Sequence, residues 1–255
     1  MPIIQTVVTD ELLAPRFELD GVLTLVDAVN GMGQLDTQPE AVKQAAVADR
    51  LLLTKTDLTP AADALLARLA HLNPGASLLT VHRGEIAASA LFGANLHAAA
   101  GRDALARWLP EAAVKHAEAQ YTRATRASAH DDHIRAYSVT LDDPVSVAGM
   151  SAWLTALASL RGAKLLRVKG LLNVDGEPVA VHAVQTLIHE PVALARWPDA
   201  ERRSRIVFIT RDMSREQIES TLEVLRLRTT NTAATPQPLD PQAYAKFIAA
   251  MTKMH

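Results

Sequence analysis

The sequence predicts an α/β protein, in which a partial parallel sheet is followed by a smaller α+β domain of order β-α-β-β-β-α. Three observations carry this expectation. Short uninterrupted apolar runs alternate with helix-like blocks over the first third of the chain, the pattern of parallel strands covered on both faces. An Asp175-Gly176 pair separates two long apolar runs, a hairpin signal. Ser214-Arg215-Glu216-Gln217 reads as a capping box in front of a helical period.

Taken in order, Gly21-Val22-Leu23-Thr24-Leu25-Val26-Asp27 is a first strand ending in an acid. Residues 39–48 follow as a helix, and Arg50-Leu51-Leu52-Leu53-Thr54 as a second buried strand. Thr59 is placed to cap a helix with Pro60 at its first position and Leu65, Leu66 and Leu69 along it. Residues 77–81 form a third strand. Residues 91–132 carry mixed charge, frequent Ala and no strand pattern, and read as a helical connector.

The second unit, residues 133–228, begins with a strand from Ile134. Asp142-Asp143-Pro144 reads as a turn into a helix. That helix sets Val147, Met150, Trp153, Leu154 and Leu157 on one face, and Gly162 stops it. Runs over 165–174, 179–188 and 204–210 are strands, and Ile218, Leu222 and Leu225 line the last helix. Hairpin links make this sheet mostly antiparallel, with the two helices on one face. Residues 229–255 read as a polar, Pro-rich linker and a short terminal helix.

Composition limits the functions on offer. Apolar residues are 49% of the 255, enough for a sizeable core. Net charge is −2 and aromatics are 4%, which gives neither nucleic acid nor an anionic membrane an electrostatic or stacking handle. With no cysteine, disulfides, thiolate metal sites and cysteine nucleophiles are excluded. Nothing resembles a signal peptide or a spanning segment, so the expected location is the cytoplasm.

The chemistry sits in Thr54-Lys55-Thr56-Asp57, directly after a buried strand. A carboxylate there can accept two hydrogen bonds from guanine N1–H and its exocyclic amine, a donor pair adenine lacks. A lysine stem can lie along the base plane. Around this tetrapeptide stand Val26-Asp27-Ala28-Val29-Asn30, Ala48-Asp49-Arg50-Leu51-Leu52-Leu53, Leu72-Asn73-Pro74-Gly75-Ala76 and Thr80-Val81-His82-Arg83-Gly84. Further on come Leu165-Leu166-Arg167-Val168-Lys169-Gly170, Trp197-Pro198 and Ser204-Arg205-Ile206-Val207-Phe208-Ile209. In content and order these blocks resemble the CobW family over about residues 1–228.

The resemblance implies a partial P-loop GTPase-type sheet over residues 1–90, then a CobW-like C-terminal domain. It implies GTP with Mg as the nucleotide, zinc or cobalt as cargo, and a metalloprotein client that receives the metal. Thr54, Lys55, Asp57, Thr80 and Val81 are then the guanine-site residues. The departures are specific. No G-x-x-x-x-G-K-[S/T] occurs, so no loop for β- and γ-phosphates is present in these residues. The family's Cys-x-Cys-Cys motif and its acidic segment upstream of Met1-Pro2-Ile3-Ile4 are also absent, so the reading is of an N-terminally truncated member. Binding of GTP is therefore expected to be impaired.

His130-Asp131-Asp132-His133 offers a possible weak metal site through His130, Asp131 and His133, since imidazole and carboxylate suit zinc or cobalt. Arg167 and Lys169 alternate on a strand and share a face, either as plain surface charge or as a contact for the GTPase half or a client. The first sheet is expected to leave an apolar edge at residues 21–27, open to self-association. Two functional readings stand: a metallochaperone GTPase, or a non-catalytic client- or metal-dependent interaction module derived from it.

Overall fold

Three consecutive buried leucines make Arg50–Thr54 (β2) the centre of a three-stranded parallel sheet. In this computed structural model residues 2–59, 62–93, 108–109, 113–115, 117, 133–159, 164–185 and 187–226 are described. Leu23–Asp27 (β1) and Ser77–Thr80 (β3) flank β2, with Leu25, Leu52 and Leu79 in register. Ahead of β1 lies a helix that the sequence patterns did not reveal, Pro2–Thr9 (α1). Gly31–Thr37 (α2) leads into Pro39–Val47 (α3), and Asp63–Leu72 (α4) follows β2. Ala45, Ala46 and Val47 of α3 pack with Leu65, Leu69 and Leu72 of α4 in one core with Val26, Leu51 and Leu53. Asn73 closes α3, its Nδ2 donating to the carbonyls of Ala45, Ala46 and Ala48 at 2.8–3.1 Å.

The α4 start differs from expectation. Ala62 occupies the N-cap and makes no side-chain cap bond. Leu58 N–H already closes a turn on the Lys55 carbonyl at 3.1 Å, so the chain up to residue 59 belongs to the loop. Pro60 lies outside the described residues.

The second sheet is antiparallel throughout, in the order β4-β9-β5-β6-β7 with β8 also on β6. Its strands are Ile134–Leu141 (β4), Leu165–Val174 (β5), Glu177–Val184 (β6), Leu187–Ile188 (β7), Val192–Ala193 (β8) and Ser204–Arg211 (β9). Asp175 and Gly176 turn β5 into β6 with φ of 51° and 101°, the left-handed pair that a two-residue hairpin needs. Glu177 and Pro178 already pair with Val174 and Asn173, so the turn is narrower than the sequence suggested. Gln185, at φ 56°, breaks the expected run over 179–188 into β6 and β7.

Val147–Ser159 (α5) and Arg215–Leu222 (α6) share one face of this sheet. Trp153 is fully buried there, edge-on to Phe208 at 6.2 Å, and Leu157 lies beside it in the core. Burial of such a side chain stabilises by about 1.5–3 kcal/mol. The α6 capping box between Ser214 and Gln217 is complete. At α5 the cap is Ser146, whose Oγ accepts from Gly149 N–H at 3.0 Å, not the Asp142–Asp143 pair. Val145 bridges Val174, which keeps the chain extended past Pro144 and delays the helix. Gly162 and residues 229–255 lie outside the described residues.

The opposite face of the second sheet is also covered. Leu166, Leu171, Val207 and Ile209 join the same core as α3 and α4, with Trp108, Leu109, Val114 and Ala117 between.

Candidate functional site

The carboxyl ends of β1, β2 and β3 bring three loops together, the place where open α/β sheets bind ligands. Asp27 ends β1. Its Oδ1 accepts from Val29 N–H at 2.8 Å and Asn30 N–H at 3.1 Å, and its Oδ2 from Asn30 Nδ2 at 3.0 Å. Lys55, just past β2, reaches the same Oδ2 at 2.6 Å. The Lys55 bond, then the Asn30 bonds, hold the Asp27 carboxyl well below the usual carboxylate range. Lys55 achieves this at φ 58°, a left-handed backbone that non-glycine residues adopt at a cost and that clusters at functional sites.

Asp57 lies two residues on. Its partly exposed carboxylate pairs with Arg83 Nε at 3.9 Å. Arg83 and Gly84, at φ 48° and 83°, form the tip of a tight turn closed by a His82–Glu85 bridge. Thr80 is exposed at the end of β3. The Thr54 hydroxyl donates to Val26 O at 3.2 Å. Val81 is buried and its N–H donates to Leu53 O at 2.8 Å. Thus Lys55, Asp57 and Thr80 face outward, while Thr54 and Val81 tie the loops to the sheet.

Arg167 and Lys169 are not on a solvated face. They are 2% and 3% exposed and point from β5 into the base of the first sheet. Arg167 Nη2 donates to Asp49 Oδ1, and its Nη1 to the Val47 carbonyl at the end of α3. Lys169 Nζ lies 3.4 Å from Asp49 Oδ1 and donates to Gly75 O at 3.2 Å and Trp108 O at 3.0 Å. Asp49 Oδ2 accepts from Val22 N–H at 3.0 Å. Burial alone would raise the Asp49 carboxyl, but Arg167 and then Lys169 hold it well below its ordinary value. Burial, then the neighbouring Arg167, pull Lys169 down to about 7.

Of the metal candidates, His130 and Asp131 lie outside the described residues. His133 is exposed, and its Nδ1 meets Asp212 Oδ1 at 2.6 Å. The pair sits at the rim of a cavity of about 360 Å³ whose walls include Leu35, Pro39, Val42, Ile134 and Arg211. Among the described residues no three His, Asp or Glu converge as a metal site.

Comparison with known proteins fixes the family. The family model described as CobW/HypB/UreG, nucleotide-binding domain, matches residues 1–80. That described as Cobalamin synthesis protein cobW C-terminal domain matches residues 134–226. The chain is 35% identical over 227 residues to the zinc chaperone YjiA of Escherichia coli (strain K12), covering 88% of this chain and 67% of that protein. This chain belongs to the CobW family. The crystal structure of Zn(II)-bound YjiA GTPase superposes with a TM-score of 0.65 at 31% identity, over 89% of this chain and 67% of that one. A Zn(II)-bound triple mutant of the same GTPase gives 0.66 at 32% identity, with the same coverage.

Within this CobW-type chain, sequence reasoning missed three participants. Asp27 was visible only as an acid closing an apolar strand, and that position was its signal. Asp49 carried no sequence signal that it would meet Arg167, 118 residues away. Asp212 likewise reaches His133 only through the pairing of β4 with β9.

Proposed function

We propose that this chain acts in GTP-dependent zinc handling of the CobW type, with the carboxyl ends of β1–β3 as the guanine-recognition site. The supporting observation is Asp57, a partly exposed carboxylate in a Thr-Lys-x-Asp loop, on a chain whose residues 1–80 match a nucleotide-binding domain. Asp57 accepts from the base, and Lys55, held by Asp27, lays its stem beside it. Zinc is favoured as cargo over cobalt by the zinc chaperone and Zn(II)-bound relatives. The metal is met at His133 with Asp212, and His130 and Asp131 lie immediately upstream in sequence. Two protein ligands completed by water make a weak, transferable site. A metalloprotein client is the recipient.

Mg is held in GTPases by phosphate-loop hydroxyls and acids. No G-x-x-x-x-G-K-[S/T] is present in the 255 residues, so the residues here do not fit the ion and no step is derived through it. The same observation supports the second reading, a non-catalytic interaction module that keeps base recognition but not phosphate chemistry.

The test is nucleotide binding to the purified chain, read with fluorescent guanine and adenine nucleotides, alongside phosphate release. Weak binding that prefers guanine, loses the preference in Asp57→Ala and gives no turnover is expected. Equal binding of both bases would overturn the guanine-site reading, and metal-stimulated GTP turnover by this chain alone would overturn the non-catalytic one.

A further inference from the structure

We infer that Asp49, Arg167 and Lys169 are positioning residues that lock the base of the first sheet to the C-terminal domain, so that the guanine-site loops and the second sheet are held as one body. The contacts reach every strand of the first sheet at its amino-terminal end. Asp49 directly precedes β2, and its carboxylate also holds Val22, which leads into β1. Lys169 holds the carbonyl of Gly75, which leads into β3. Arg167 holds the last carbonyl of α3, where a cation also meets the negative end of the helix dipole. The opposite ends of the same strands carry Asp27, Lys55 and Thr80. A five-residue strand is roughly 16 Å long, so one rigid element separates lock from site.

The cluster is built for specificity rather than for strength. One carboxylate faces two cations, all three residues being at most 6% exposed. Arg167 Nε and Trp108 Nε1 are buried donors without partners, and His182 Nε2 beside them is also unpartnered. Lys169 lies 5.3 Å from the Trp108 ring centre, and Trp108 stands edge-on to His182, which stacks on His189 at 4.6 Å. A buried ion cluster of this kind contributes little net stability but is costly to break one partner at a time.

The lock also has a pH signature. Burial, then Arg167, pull the Lys169 ammonium from its ordinary 10.5 down to about 7 in the fold. Between those values the unfolded state binds the extra proton, so closure of the first sheet on the second strengthens as pH rises through that window. The groups facing Lys169 are Asp49, Arg167, Arg50 and His182, with His189 behind. His182 does not supply this slope, because burial, then Arg167, hold it well below its ordinary value.

The meaning for nucleotide chemistry rests on the guanine-site reading above, but the test uses no nucleotide, so either can fail alone. Amide hydrogen exchange is measured on the full chain from pH 7 to 9, corrected for intrinsic rates. Asp49→Asn is expected to raise exchange at least about tenfold in β1–β3 and in residues 55–58, with β4 and β9 near wild type. In the wild type, protection of β1–β3 should rise with pH by up to about tenfold per unit. Lys169→Met, which keeps the packing, should abolish that slope. Arg167→Lys, which keeps the charge but not the two-pronged contact, stands in if Asp49→Asn does not fold. Equal loss of protection in both sheets, or a pH slope that survives in Lys169→Met, would overturn the inference.

Discussion

Gly170 shows how a single position in the Arg167-Val168-Lys169-Gly170 block is set by packing. A Cβ there would stand 2.9 Å from Val181 Cγ2, 3.3 Å from Ile206 Cγ1 and 3.5 Å from the Arg205 carbonyl. Both neighbours are core residues on adjacent strands, so neither has room to move. Gly170→Ala is expected to destabilise by about 1–3 kcal/mol, the usual cost of overpacking. Gly33 in α2 has nothing within 4 Å of its Cβ position, and Gly33→Ala should stabilise by about 0.4–1 kcal/mol. Urea denaturation of the two variants checks both signs. Equal midpoints would show that the contact at Gly170 relaxes freely. The glycine was legible in the sequence as part of a motif, but its reason was not, because both obstructing side chains come from other strands.

Strand β1 is the element whose environment departs most from what its sequence asks. A parallel strand is normally covered on both faces. Here Val26 and Thr24 face the core, while Leu23 and Leu25 are 40% and 69% exposed. Among the described residues β1 is also an edge of its sheet, with only β2 beside it. An uncharged apolar edge of this kind pairs with other chains. We propose that the chain self-associates through it. Sedimentation velocity should show concentration-dependent association that falls in Leu25→Lys, a substitution that places charge on the exposed face. A chain that stays monomeric across the concentration range, or a Leu25→Lys variant that associates equally, would count against this. Helix α5 teaches a different lesson. Its apolar face was readable from period alone, but its start was not. The Val145–Val174 bridge, made across the sheet, overrode the local Asp-Asp-Pro signal and handed the cap to Ser146.

At the scale of the whole molecule the metal question is one of convergence. His133 and Asp212 meet because β4 and β9 pair end to end, with Ile134 opposite Arg211. The His133 bond, first among its neighbours, lowers the Asp212 carboxyl, so that carboxylate stays ionised at neutral pH. Calorimetric titration with zinc should therefore show weak binding near pH 7 that falls in both His133→Ala and Asp212→Asn. Heats unchanged in both variants would remove the site. What the sequence by itself determined is everything carried by local period and local chemistry. That covers the buried strands, the Asp175-Gly176 hairpin, the α6 capping box and the Thr54-Lys55-Thr56-Asp57 loop with its family resemblance. Only the tertiary structure decided the rest. Asp27 clamps Lys55, Asp212 meets His133, and of the two readings of Arg167 and Lys169, surface charge or a contact for the GTPase half, burial on Asp49 selects the contact. The physical reason is the same each time. Hydrogen bonds and apolar periods within one segment are written in neighbouring residues, whereas a charge's partner 118 residues away is chosen by which faces the two sheets bury against each other.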